Sequence, residues 1–193
     1  MKYARTVLLF VGVAFLIGCT HFQSQPNFKY MPWKERQAKI KKKNSWLING
    51  TLSITYNKKR DIANFTWQQK QNNYIINISG PLNFNSIKIT GTANQVEFCQ
   101  SGQACLYKSL NQFGWRLPIS SMRYWVLTLP APAKIAVTKF DQYGRLTVLE
   151  QQGWKIYYSD FQPVNNVDLP NIITLQNKDF FIKLKIKKCL FYN

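Results

Sequence analysis

The sequence predicts a mainly β protein: one antiparallel sheet curled around a single apolar interior, with two or three short helices. Two observations carry that expectation. From Asn44 onward apolar residues recur at every second position, the period of a half-buried strand, and turn residues cut the alternation into some ten or eleven short runs. Only two stretches switch to a helical spacing. About 175 residues beyond a short leader suit one domain with a core large enough to fold alone.

The leader comes first. Lys2 and Arg5 precede an apolar run from Val7 to Ile17, too short for a permanent membrane span and suited to a secretory signal. Leu16-Ile17-Gly18-Cys19 resembles a bacterial lipobox, in which small Gly18 fits the cleavage pocket and Cys19 becomes the lipid-bearing N-terminus. The alternative is a signal that merely contains a cysteine. The expected division is residues 1–18 as lipoprotein signal peptide, 19–28 as a lipidated tether and 29–193 as one domain. Cys19 is expected to carry a diacylglycerol and an N-acyl chain, with no other cofactor and no metal. Thr20 rather than Asp after that cysteine favours the outer membrane, by resemblance to lipoprotein sorting rules.

That placement governs the reading of charge. The chain has 26 Lys and Arg against 8 Asp and Glu; without the leader the net charge is +16. A cytosolic protein so basic would suggest nucleic acid first. An exported, anchored chain does not meet the genome, and no recognition helix or RNA-binding motif is present. Anionic lipid headgroups, acidic protein surfaces and lipopolysaccharide remain as partners, beside the plain reading of a basic composition that keeps the protein soluble.

Pro32 starts a helix over 33–40, with Trp33, Gln37 and Ile40 on one face and lysines covering the rest. Trp46, Ile48, Gly50, Leu52, Ile54 and Tyr56 then alternate with polar positions as a long strand. Lys58-Lys59-Arg60 is expected to turn into a strand with Ala63, Phe65 and Trp67, and Asn72-Asn73 into one with Tyr74, Ile76 and Ile78. Shorter strands follow around Ile87 and Ile89, Val96 and Phe98, and Leu106. Met122, Trp125, Val126 and Leu129 are spaced for a helix capped by Ser120 and ended by Pro130. Strands resume over 134–139, 145–150 and 154–161, separated by Tyr143-Gly144 and Gln152-Gly153. In the last run Ile182, Leu184 and Ile186 alternate with Lys183, Lys185 and Lys187.

The inward positions gather Trp46, Ile48, Leu52, Ile54, Phe65, Trp67, Ile76 and Ile78, with Met122 and Trp125 available to cover one face. Such side chains either fill the interior as core or line a greasy cavity, and composition does not separate the two. Cys99 and Cys105 flank a turn-like segment and could form a small hairpin disulfide, leaving Cys189 as a buried thiol. The spacing is not that of a zinc site.

Several stretches together resemble the LolB family of outer-membrane lipoprotein receptors, over essentially the whole chain beyond the leader. They are Asn49-Gly50-Thr51-Leu52, Phe65-Thr66-Trp67-Gln68-Gln69, the loop Gly80-Pro81-Leu82-Asn83, the segment from Leu117 to Pro130, Gly153-Trp154-Lys155-Ile156-Tyr157-Tyr158 and the terminal run from Ile182 to Ile186. Two departures are Asn83, where the family has glycine, and Cys189-Leu190 near an expected tryptophan. The resemblance implies an unclosed antiparallel barrel of about eleven strands, with a helical lid over an apolar cavity for acyl chains. It implies a monomer that takes acylated lipoprotein cargo from the periplasmic carrier LolA and delivers it to outer-membrane phospholipid. It further implies that Leu82, flanked by Pro81 and Phe84, protrudes and acts in membrane insertion. A lipid-binding or envelope-stress-sensing lipoprotein of the same fold is the alternative. Catalysis is not expected: no Gly-x-Ser-x-Gly elbow or phosphate-binding glycine loop occurs, and the lone histidine, His21, lies in the tether.

Overall fold

The computed structural model describes residues 26–80, 86–92, 95–109, 118–132 and 134–192. Cys19, Pro81, Leu82 and Phe84 lie outside these residues. Helix α1 (Trp33–Lys41) precedes six strands: β1 (Ser45–Tyr56), β2 (Lys59–Lys70), β3 (Asn73–Ser79), β4 (Ile87–Gly91), β5 (Gln95–Gln100) and β6 (Leu106–Ser109). Helix α2 (Ile119–Trp125) then leads to β7 (Ala136–Phe140), β8 (Leu146–Gln151), β9 (Trp154–Val164), β10 (Val167–Gln176) and β11 (Phe180–Phe191).

All eleven strands join in one antiparallel sheet, ordered β6-β5-β4-β3-β2-β1-β11-β10-β9-β8-β7. The last strand pairs with the first, so two meanders meet at the centre. The edges β6 and β7 do not pair with each other, and the barrel stays unclosed.

The hairpins turn where left-handed backbone is available. Asn57 and Lys58 take φ of 48° and 63°, the two-residue geometry that matches strand twist. The turn is therefore shorter than the expected Lys58-Lys59-Arg60, and Lys59 already pairs with Tyr56. Gln71, at φ 53°, opens the next turn one residue earlier than expected, and Asn73 begins β3. Gln152 and Gly153 turn as the sequence indicated, both at positive φ.

β10 is the strand that the sequence concealed. Pro170 inside its apolar run argues against a central strand, because proline donates no ladder hydrogen bond. Asn165-Asn166, both at positive φ, nevertheless start it, and Leu169, Ile173 and Leu175 are buried. Pro170 sits opposite Phe161, beside the irregularity where Asp160 takes φ 55°.

A bulge between Asn49 and Gly50 shifts the register of β1 against β11, leaving Lys187 unmatched. Ile182, Leu184 and Ile186 face inward before it, and Cys189 and Phe191 lie opposite inward Ile48 and Trp46 after it. Glycine is required at 50: a β-carbon there would overlap the backbone carbonyl of Lys185.

Helix α1 differs from the expected lysine-coated surface at one position. Arg36 is only 1% exposed. Its Nη1 lies 3.0 Å from Asp168 Oδ2, and Nη2 donates to the Tyr143 carbonyl at 3.3 Å. The helix crosses the start of β10 and the β7–β8 turn, so residue 36 points into the seam beside Ile40. Cys99 and Cys105 form a disulfide, and Cys189 is a free thiol.

Candidate functional site

The concave face divides into two regions. Under β8 to β10 it is solid: Leu146, Leu149, Ile156, Ile173 and Leu175 are all 1% exposed or less. Under β1 to β4 and β11 it holds a partly open cavity of about 60 Å³, lined by Leu52, Ile54, Phe65, Trp67, Ile76, Ile78, Ile89, Ile119, Met122, Ile182 and Leu184. Every lining residue is apolar, and none titrates. Such a wall suits hydrocarbon, and its described residues offer no acid, base or nucleophile.

Seven of the ten residues nominated from the sequence line this cavity: Leu52, Ile54, Phe65, Trp67, Ile76, Ile78 and Met122. Three do not. Ile48 is buried in the core beyond it. Trp46 packs at a tilt against Trp67, with ring centroids 5.4 Å apart, and lines a separate cleft beside α1. Trp125 is fully buried on the side of β8. Sequence reasoning missed Ile89, Ile119, Ile182 and Leu184 as lining. Three of these are set by register: Ile89 lies opposite Ile76, Ile182 opposite Ile54 and Leu184 opposite Leu52. Alternation marked them as inward without showing what they would face.

Helix α2 supplies Ile119 and Met122 to the cavity. It begins after Pro118 with no side-chain cap, so Ser120 is not the expected N-cap. It also stops before Pro130. Thr128 at φ 58° donates to the Trp125 carbonyl at 2.9 Å and Leu129 to that of Tyr124 at 3.0 Å, closing the helix with a left-handed residue. Glycine usually fills that position, and a β-branched residue there is strained.

Gln151, 3% exposed, fastens this segment to β8. Its Oε1 accepts from Trp125 Nε1 at 2.8 Å and from the Ala131 backbone N–H at 2.9 Å. Its Nε2 donates to the carbonyls of Ala131 and Lys134. Gln152 adds a bond to Ser121 Oγ at 2.8 Å. The segment that follows α2 is thus tied to β8 by Gln151, and the first turn of α2 is held by the single Gln152–Ser121 bond and by the apolar contacts of Ile119 and Met122.

Polar chemistry lies away from the cavity. Burial pushes the Cys189 thiol up to about 12, which keeps it protonated and inert. Burial also raises the hydroxyls of Tyr74 and Tyr158, with Arg123 partly opposing it at Tyr74. Burial works against ionisation of Asp141 too, but the Arg145 and Tyr143 amides and the Arg145 guanidinium hold its carboxyl below the ordinary range. Glu97, Cys99 and Cys105 come together, but the disulfide removes both thiols as metal ligands.

An open antiparallel half-barrel of eleven strands with an apolar cavity beneath a short helix defines the class of fold. Solved structures share the fold. A LolA superfamily protein from Nitrosomonas europaea superposes with a TM-score of 0.57 over 84% of this chain and 94% of that one, at 11% identity. A putative outer membrane lipoprotein-sorting protein domain from Vibrio parahaemolyticus gives 0.57 over 83% and 90%, at 7% identity. Residues 44–188 match the family model described as outer membrane lipoprotein LolB. Outer-membrane lipoprotein LolB of Coxiella burnetii (strain RSA 493 / Nine Mile phase I) is 31% identical, covering 97% of this chain and 93% of the relative. That of Pseudomonas syringae pv. syringae is 32% identical over 96% and 95%. The chain belongs to the LolB family of outer membrane lipoproteins.

Proposed function

We propose that this chain is a receptor, anchored in the outer membrane through acyl chains on Cys19, that accepts acylated lipoproteins from the periplasmic carrier LolA and inserts them into the membrane. The observation that supports the reading most directly is the wholly apolar cavity beneath α2 in a chain of this family. A triacylated cargo hides on the order of 40 methylenes, each worth about 0.8 kcal/mol on leaving water, so it must pass from one apolar cavity to another. The sequence carries no ATP-binding motif, so handover runs downhill from carrier to receptor to bilayer. Anchoring at Cys19 keeps the receptor concentrated at its destination.

The cavity's volume sets a condition on this mechanism. About 60 Å³ is less than half the ~150 Å³ void that takes up a benzene ring. Cargo entry therefore requires the cavity to widen; movement of Ile119 and Met122 on α2 would do so at the cost of the single Gln152–Ser121 bond, with the Gln151 bonds as the fixed point. Release falls to the loop of Pro81, Leu82 and Phe84, whose flanking residues Gly80 and Ser86 lie at the β3–β4 end of the sheet.

The test is transfer of radiolabelled lipoprotein from a purified carrier complex to the receptor, then to liposomes. The wild-type chain should complete both steps. Leu82→Glu should accept cargo within about twofold of wild type yet deliver it at least about tenfold more slowly, since a carboxylate does not enter hydrocarbon. Failure of the wild-type chain to extract cargo would overturn the receptor reading. Normal delivery by Leu82→Glu would remove the loop from the mechanism.

A further inference from the structure

A second cleft, of about 270 Å³, opens where the end of α1, the start of β1, the β2–β3 turn and the outer side of α2 meet. Its chemistry is unlike that of the apolar cavity. Lys41, Lys43 and Arg123 line it, and none of its lining residues is acidic. The ion pairs among the described residues engage other cations: Arg36, Lys39, Arg145 and Lys155. Beside the three charges lie the apolar walls of Ile40, Trp46 and Leu129.

Arg123 carries the argument furthest. It is half-buried, its guanidinium lies 4.8 Å over the Tyr124 ring, and it donates to Tyr124 Oη at 2.8 Å and to Asn72 Oδ1 at 3.4 Å. Both acceptors are neutral, so neither offsets the charge. Its Nε is buried with no hydrogen-bond partner at all. A partly desolvated guanidinium with spare donors and no carboxylate is stabilised by a bound anion.

The kind of anion follows from the surroundings. Three cations approaching one cleft from the end of α1 and from α2 suit a tetrahedral phosphate, whose oxygens point in several directions, better than a flat carboxylate. The apolar wall suits an anion carried on a hydrocarbon root.

We propose that this cleft is a phosphate site occupied by the headgroup of a glycerophospholipid, with Arg123 and Lys43 on the phosphodiester oxygens and Trp46 and Leu129 against the glycerol end. The site is separate from the acyl cavity, although α2 serves both: Met122 faces the cavity and Arg123 the cleft. It does not depend on the chain's being a cargo receptor.

The test uses the full lipidated chain in maltoside micelles, which carry no phosphate. Short-chain phosphatidylglycerol and inorganic phosphate are titrated separately while the Trp46 indole N–H is followed by NMR. The lipid should shift that signal saturably. Arg123→Gln and, independently, Lys43→Gln should each weaken binding about tenfold, because each removes a charge-assisted bond. The paired change Lys88→Gln and Lys139→Gln, exposed on the outer faces of β4 and β7, should leave it unchanged. Inorganic phosphate should bind more weakly, lacking the apolar root. Equal binding of phosphate and lipid would assign the cleft to a free anion and overturn the headgroup proposal. So would equal losses from the outer-face pair, saturation by an acidic peptide where lipid gives none, or no shift with either titrant.

Discussion

Ile76 and Ile173 are both inward isoleucines on the concave face, yet they meet different neighbours. Ile173 is 0% exposed in the solid region, where each methyl touches close-packed atoms. Ile76 borders the apolar cavity, so part of its surface faces no atom at all. Ile173→Val should therefore cost about 0.5–1.5 kcal/mol, whereas Ile76→Val should cost less than about 0.5 kcal/mol. Urea unfolding midpoints at constant m-value measure both. Equal losses would mean that the cavity wall is packed as tightly as the core. Arg36 makes the complementary point. In sequence it stands among lysines and reads as solvated, but residue 36 faces Asp168, 132 positions away. No local pattern encodes that contact.

At the level of elements, the segment over the cavity depends on a residue that no motif highlighted. Gln151 satisfies an indole N–H, a backbone N–H and two carbonyls, and all of these bonds but the one to Lys134 are buried. Gln151→Leu keeps the bulk but strands those groups, at about 1–3 kcal/mol for each donor or acceptor left buried. The expected result is a loss of more than about 2 kcal/mol and faster hydrogen exchange across 125–131. Gln152→Ala, which removes a single half-buried bond to Ser121, should cost less than about 1 kcal/mol by the same measurements. The strands themselves were legible, because β1, β3 and β11 alternate over most of their length with one dry face. β10 was not, because its register with β9 and β11 tolerates Pro170 where local propensity argued otherwise.

Over the whole molecule, charge is distributed by the sheet's two faces. Lys183, Lys185 and Lys187 project from the outside of β11, and Lys34, Lys41 and Lys42 from α1, all exposed. Lys39 is partly offset by Glu35 at 2.8 Å, and Arg36 is withdrawn altogether. The remaining field should steer the chain toward an acidic surface or anionic bilayer. Association with the carrier or with anionic vesicles should slow severalfold as salt rises from about 10 mM to 150 mM, over which the Debye length falls from roughly 30 Å to 8 Å. Stopped-flow fluorescence would read this directly, and a rate that is flat across that range would leave these lysines without a steering role.

The sequence by itself determined the period-two strands, most of the turns, the inward set of aromatic and branched residues, and a family resemblance that the comparisons bear out. Those properties are local or cumulative along the chain: side-chain alternation, positive-φ turn residues and short motifs are all written in consecutive positions. Whether the inward residues would be core or cavity was decided only by the tertiary structure, and the answer differs between the two halves of one sheet. Packing depends on which strands become neighbours, in what register, and on how closely α2 approaches them. Leu52 meets Leu184 across the seam between the first and last strands, 132 residues apart, and whether such a pair closes on itself or borders a void is set by the whole fold.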